Sequence, residues 1–201
     1  MSLTSFMHAQ RWQQLPWPLD LVLDALLAPL WLCAVIWVRR QQALVLRLGV
    51  ALTSEQMIVA QALGVVAAEH VRVMCADVIP MPLPRFVHAL AQRAGWILPH
   101  IAGMTLGYGI VLREDCCHDR RLLAHELAHV VQYERLGGCA GFLRQYVREC
   151  VWPGYPRGAL EIEARTAEAR GSALRVDVIP YHPFAADRAE PPTRSNGIQR
   201  E

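Results

Sequence analysis

The sequence predicts an α+β domain, with a small mixed sheet in its first half and a helical second half. Three observations carry that expectation. Two runs, Val71–Ile79 and Met104–Leu112, are rich in β-branched residues and read as strands, the second with glycine bulges. Residues 120–136 carry apolar side chains at helical spacing between Asp119, placed to cap the N-terminus, and Gly137, placed to end the helix. Two helix-favouring segments, about Ala140–Val151 and Ala159–Gly171, flank the turn Trp-Pro-Gly-Tyr-Pro-Arg-Gly.

Taken in order, residues 1–50 form an apolar N-terminal segment, 51–185 the main domain and 186–201 a tail whose Pro, Arg, Glu and Ser content predicts disorder. Within the first, residues 17–38 are the most apolar stretch of the chain. Asp20 and Asp24 interrupt it, leaving Ala25–Val38 free of charge, about 21 Å as a helix against a hydrocarbon core of about 30 Å. Peripheral membrane contact at an interface and burial against the main domain both fit that length. Thr53-Ser54-Glu55-Gln56 has capping-box spacing and opens a helix expected to run to about Ala68. The first strand then stops at Pro80, whose motif Asp-Val-Ile-Pro recurs at 177–180, and Phe86–Ala94 reads as a short helix.

Composition removes several functions. The chain has 201 residues and a net charge of +2, and every one of its 20 basic residues is Arg. Without Lys there is no Schiff base, no Walker-A phosphate lysine and no Ser–Lys pair. The Arg residues are scattered, so no nucleic-acid partner is expected. Six Cys without a regular spacing predict reduced thiols in a cytoplasmic protein, with Cys116 and Cys117 as small buried hydrophobes. If the N-terminal segment spans a membrane, Arg39, Arg40 and Arg47 outnumber the lone Arg11 on the other side, and that bias agrees with a cytoplasmic main domain.

The chemistry resides in His125-Glu126-Leu127-Ala128-His129. Four residues are about 400° of helix, so His125 and His129 project from one face a turn apart and can share one Zn²⁺. Glu126 lies about 100° round from His125, beside the metal, where a carboxylate can take a proton from zinc-bound water. Chance yields the motif in about 2% of chains of this composition, so coincidence is a weak account. Gln132 continues the histidine face. A third ligand must come from farther along, and Glu161 and Glu163 are both available; they lie about 200° apart on a helix, so only one can face the metal. Tyr155 and His182 are candidate donors to a scissile carbonyl.

These residues resemble a family. HExxH followed on a second helix by Glu-x-x-small is similar to the gluzincin metallopeptidases, with Glu161-Ile162-Glu163-Ala164 supplying the second part. The wider pattern over residues 50–175 resembles short bacterial zincin-like domains. The resemblance implies a zincin-like α+β fold whose strand 104–112 is the edge along which a peptide lies. It further implies one Zn²⁺ held by His125, His129 and Glu161, with Glu126 as general base in peptide-bond hydrolysis on a peptide or protein substrate. One position departs: peptidases of this type carry Asp or Asn where this chain has Arg165, and Arg cannot accept a ligand histidine's N–H. A different class, a non-catalytic zinc-stapled interaction domain, is the alternative that this departure supports.

Overall fold

The computed structural model describes residues 17–81, 101–150 and 157–173. The expectations for Phe86–Ala94, Tyr155, the second Asp-Val-Ile-Pro, His182 and the tail fall outside them.

Helix α1 (Trp17–Leu48) is continuous through Pro29. Its second half turns Val35, Val38 and Val45 into the core, and the Trp31 indole donates to the carbonyl of Ala140 at 2.9 Å. Its other side leaves Val22, Leu26, Leu30 and Ile36 exposed. No described helix is long and apolar enough to cross a membrane.

Strand β1 (Val50–Ala51) follows, then α2 (Ser54–Leu63). The capping box at the start of α2 forms in both directions: Thr53 Oγ1 accepts from the Gln56 N–H at 3.2 Å and Gln56 Oε1 from the Thr53 N–H at 2.9 Å. The helix ends five residues earlier than expected, because Gly64 adopts a left-handed cap at φ 105°. The freed amides of Val66 and Ala67 then donate to the Glu134 carboxylate at 2.8 and 2.9 Å, which ties this loop to the end of the helix Arg120–Arg135.

Strand β2 (Arg72–Ala76) is shorter than the expected Val71–Ile79. Its parallel partner β4 (Gly109–Arg113) ends opposite it at the Ala76–Arg113 pair, so residues 77–79 have no ladder to join. The single strand expected over Met104–Leu112 is two, β3 (Gly103–Leu106) and β4, folded back on each other. Gly107 sits at φ 67° in the two-residue turn between them, where a glycine permits the left-handed backbone that hairpins favour. The four strands lie in the order β1-β2-β4-β3, mixed parallel and antiparallel, with β3 at one edge.

Helices α3 (Arg120–Arg135), α4 (Cys139–Glu149) and α5 (Ala159–Ala173) complete an α+β domain with the arrangement of a small zincin-like fold. Because side chains alternate along β4, Ile110 and Leu112 join one core with α2 and α3, while Val111 joins a second with α1 and α4. Each such fully buried side chain contributes about 1.5–3 kcal/mol of burial.

The cysteines are not all reduced thiols. Cys75 on β2 and Cys117, just ahead of α3, form a disulfide with Cα atoms 6.1 Å apart. Cys117 is therefore a crosslink rather than a small hydrophobe, and Cys116 is a half-buried free thiol. The crosslink also removes the cysteine argument for a reducing, cytoplasmic setting.

Candidate metal centre

Helix α3 forms as its local sequence dictates. Asp119 Oδ1 accepts from the Arg121 N–H at 2.8 Å and, more weakly, from Leu122 at 3.4 Å. Leu123, Leu127 and Val130 bury its apolar stripe, and Gly137 and Gly138, both at positive φ, end it. That anchoring aims His125 and His129 at α5, where Leu160 and Ala164 pack against the core. The register of α5 is set from α4: Glu149, buried, accepts from the Leu160 N–H at 2.9 Å and so caps the helix one residue before Glu161.

His125, His129 and Glu161 converge. Their donor atoms all lie within 4.8 Å of one another. His125 Nε2 is 3.6 Å from Glu161 Oε1 and His129 Nε2 is 3.7 Å from Glu161 Oε2, so one carboxylate faces both rings. The set is largely out of water, with His129 and Glu161 buried and the His125 side chain 14% exposed. Phe142 and Tyr146, a turn apart on α4, put their rings edge-to-face with that of His129. These aromatics were not singled out in the sequence; their i, i+4 spacing was the available signal.

Glu163 is turned elsewhere. Its carboxylate takes two hydrogen bonds from Arg135, at 2.7 and 2.8 Å, and a third from Gln132 Nε2 at 3.1 Å. Arg135 holds it below the usual carboxylate range, so it stays ionised.

Gln132 does more than continue a face. It is fully buried; its Nε2 donates to the Leu160 carbonyl at 2.8 Å as well as to Glu163, and its Oε1 lies 2.8 Å from His129 Nδ1. Because Nε2 faces two groups that can only accept, the amide has one satisfactory orientation, with Oε1 toward the ring. His129 therefore donates from Nδ1, which leaves Nε2 as the ring nitrogen that faces Glu161.

Glu126 lies under the sheet edge. Its carboxylate is buried, and Thr105 Oγ1 on β3 sits 2.7 Å from Oε2 and 2.9 Å from the Glu126 carbonyl. Burial raises its pKa above the usual range, while His129 and the Thr105 hydroxyl pull the other way. Gly103 makes room for it: a Cβ there would stand 2.5 Å from Glu126 Oε1. At position 165, the departure noted above, the guanidinium Nε is 3.5 Å from Glu161 Oε1.

Two imidazole nitrogens and a carboxylate, closely spaced and largely out of water, are the donor chemistry of a three-ligand zinc site, and they could hold such an ion. A family model described as the eCIS core domain, a zincin-like domain related to metallopeptidases, matches residues 99–137. The match takes in the β3–β4 hairpin and helix α3 and stops short of Glu161. No curated protein and no solved structure matches the chain.

Proposed function

We propose that the chain is a zinc-dependent metallopeptidase, with His125, His129 and Glu161 as ligands and Glu126 as general base. The observation that carries this reading is the convergence of both Nε2 atoms on one carboxylate, with a second carboxylate, that of Glu126, buried beside them. When bound there, zinc supplies a Lewis acid that brings the pKa of a coordinated water to about 7 and polarises a carbonyl.

The chain's own groups supply the rest. Glu126 accepts a proton at its carboxylate and passes it to the leaving amine nitrogen. Burial favours its protonated form, which suits a group that must hold a proton between two steps. Thr105 keeps Oε2 in place and can donate to the carboxylate or accept from the carboxylic acid, since a hydroxyl does either. The outer edge of β3, unpaired among the described residues, offers backbone groups along which an extended peptide can add as a strand. Buried Glu126 and the edge strand β3 are thus neighbours across Thr105 and Gly103.

The test is hydrolysis of an undirected peptide library by the purified chain before and after chelation, with zinc then restored. Activity lost with the chelator and regained with zinc supports the reading. Activity indifferent to the chelator contradicts it.

A further inference from the structure

In the gluzincin pattern the residue four after the glutamate ligand accepts the proton of a ligand imidazole, and here that residue is Arg165, which can only donate. The consequence should be an unsupported His125, since Gln132 serves His129. Yet α5 presents residues 161, 165 and 168 on one face, at i, i+4 and i+7. Glu168 Oε2 lies 3.7 Å from His125 Nδ1, on the opposite side of the ring from the Nε2 that faces Glu161. The Glu168 side chain is 28% exposed, and its other oxygen lies 3.3 Å from Arg121 Nη2 on the first turn of α3. The separation from Nδ1 is about 0.8 Å beyond an ordinary N–H···O bond, within reach of a small side-chain rotation.

We propose that Glu168 is the positioning carboxylate of His125, carrying out one turn farther along α5 the acceptor role that Arg165 cannot perform. Arg121 steers the Glu168 carboxylate, Glu168 keeps the His125 proton on Nδ1, and Nε2 is left as the donor atom toward the metal. The side chain at 165 is thereby released to lie against Glu161 instead of against an imidazole. The two histidines are then supported from different elements: His129 from its own helix by Gln132, and His125 across the interface by Glu168. The inference rests on the metal-centre reading above, but its first readout needs no metal.

The test uses the full chain and the variants Glu168→Ala, Glu168→Gln and Arg121→Ala. In the metal-free protein, at a pH where the ring is neutral, ¹⁵N NMR reports which nitrogen of His125 carries the proton. Wild type and Glu168→Gln, which keeps an acceptor oxygen, are expected to hold the Nδ1–H tautomer, and Glu168→Ala to move toward Nε2–H. In competition with a chromophoric chelator, Glu168→Ala is expected to weaken zinc binding about 10–100-fold, whereas Glu168→Gln and Arg121→Ala change it by less than about threefold. An unaltered His125 tautomer in Glu168→Ala overturns the assignment, as does a loss in Arg121→Ala equal to that in Glu168→Ala. Neither readout involves hydrolysis, so an inactive protein leaves the test intact. A wild type without zinc affinity refutes the metal centre, and the tautomer still decides the role of Glu168.

Discussion

Replacing Gln132 with methionine, a side chain of similar length and shape, removes every hydrogen bond of a fully buried group while leaving its volume nearly filled. Two consequences can be separated. The His129 N–H at Nδ1 loses its acceptor at 2.8 Å, so the ring is no longer held with Nε2 toward Glu161. Loss of such an outer partner costs about 10–100-fold in metal affinity, which is about 1.4–2.7 kcal/mol. The buried N–H left without a partner also costs about 1–3 kcal/mol of stability in the metal-free protein. At about 2–4 °C per kcal/mol for a chain of this size, the melting temperature should fall by several degrees. Glu163 keeps both Arg135 bonds, so the ion pair is not part of the loss. Chelator competition measures the first effect and thermal unfolding of the apo-protein the second. Gln132→Glu divides them: it retains an oxygen for His129 but cannot donate to Leu160 and sets a like charge beside Glu163, so stability should suffer more than affinity. If Gln132→Met binds zinc as tightly as wild type, Gln132 does not orient His129 and the reasoning fails.

Gly103→Ala pushes a methyl group against Glu126 Oε1, and it should lower peptide hydrolysis on the order of 10–100-fold with zinc content unchanged; equal loss of zinc would show that the damage spreads beyond the base. Tyr108, whose hydroxyl donates to Glu134 at 3.2 Å, has its pKa raised by burial and by that carboxylate to about 12, from 10.0. Because the folded value is the higher one, its stabilisation is complete below pH 10 and declines as the pH rises through 12; ultraviolet titration should show a late tyrosine step that Tyr108→Phe removes. Reducing the Cys75–Cys117 bridge, which spans 42 residues, should cost up to about 4 kcal/mol on the loop-entropy account, read as a fall in the denaturation midpoint; no change on adding a thiol would mean that the bridge does not form in solution.

What the sequence made legible was what is local. Helix α3 with its cap, its terminal glycines and its i, i+4 histidines depends on neighbours within a few residues, and so does the capping box at Thr53. Glu161 could be weighed against Glu163 only by analogy, because the choice depends on Arg135 and Gln132 taking Glu163 away from the metal face, a contact between residues 28 and 31 positions apart. The same holds for Glu134 capping the Val66–Ala67 amides, for Glu149 fixing the start of α5, and for Cys75 meeting Cys117. Two-residue β1 has no pattern of its own and exists because β2 pairs with it. The β3–β4 hairpin was hidden for another reason: Gly107-Tyr108 lacks the Asn-Gly or Asp-Gly signature of tight turns, so a reversal looked like a bulge.

The central claim is that one carboxylate binds the metal and another moves the proton. Glu126→Gln separates the two, since it keeps the shape of the side chain and removes its basicity. Zinc content and peptide hydrolysis should be measured together on wild type and on this variant. The account expects wild type to hold one zinc per chain and to cleave peptide, and Glu126→Gln to hold the same zinc and cleave nothing detectable. A Glu126→Gln protein that loses its zinc while still folded would contradict the division of roles, and a wild type that holds zinc yet is as inert as the variant would make the domain a zinc-stapled scaffold rather than an enzyme.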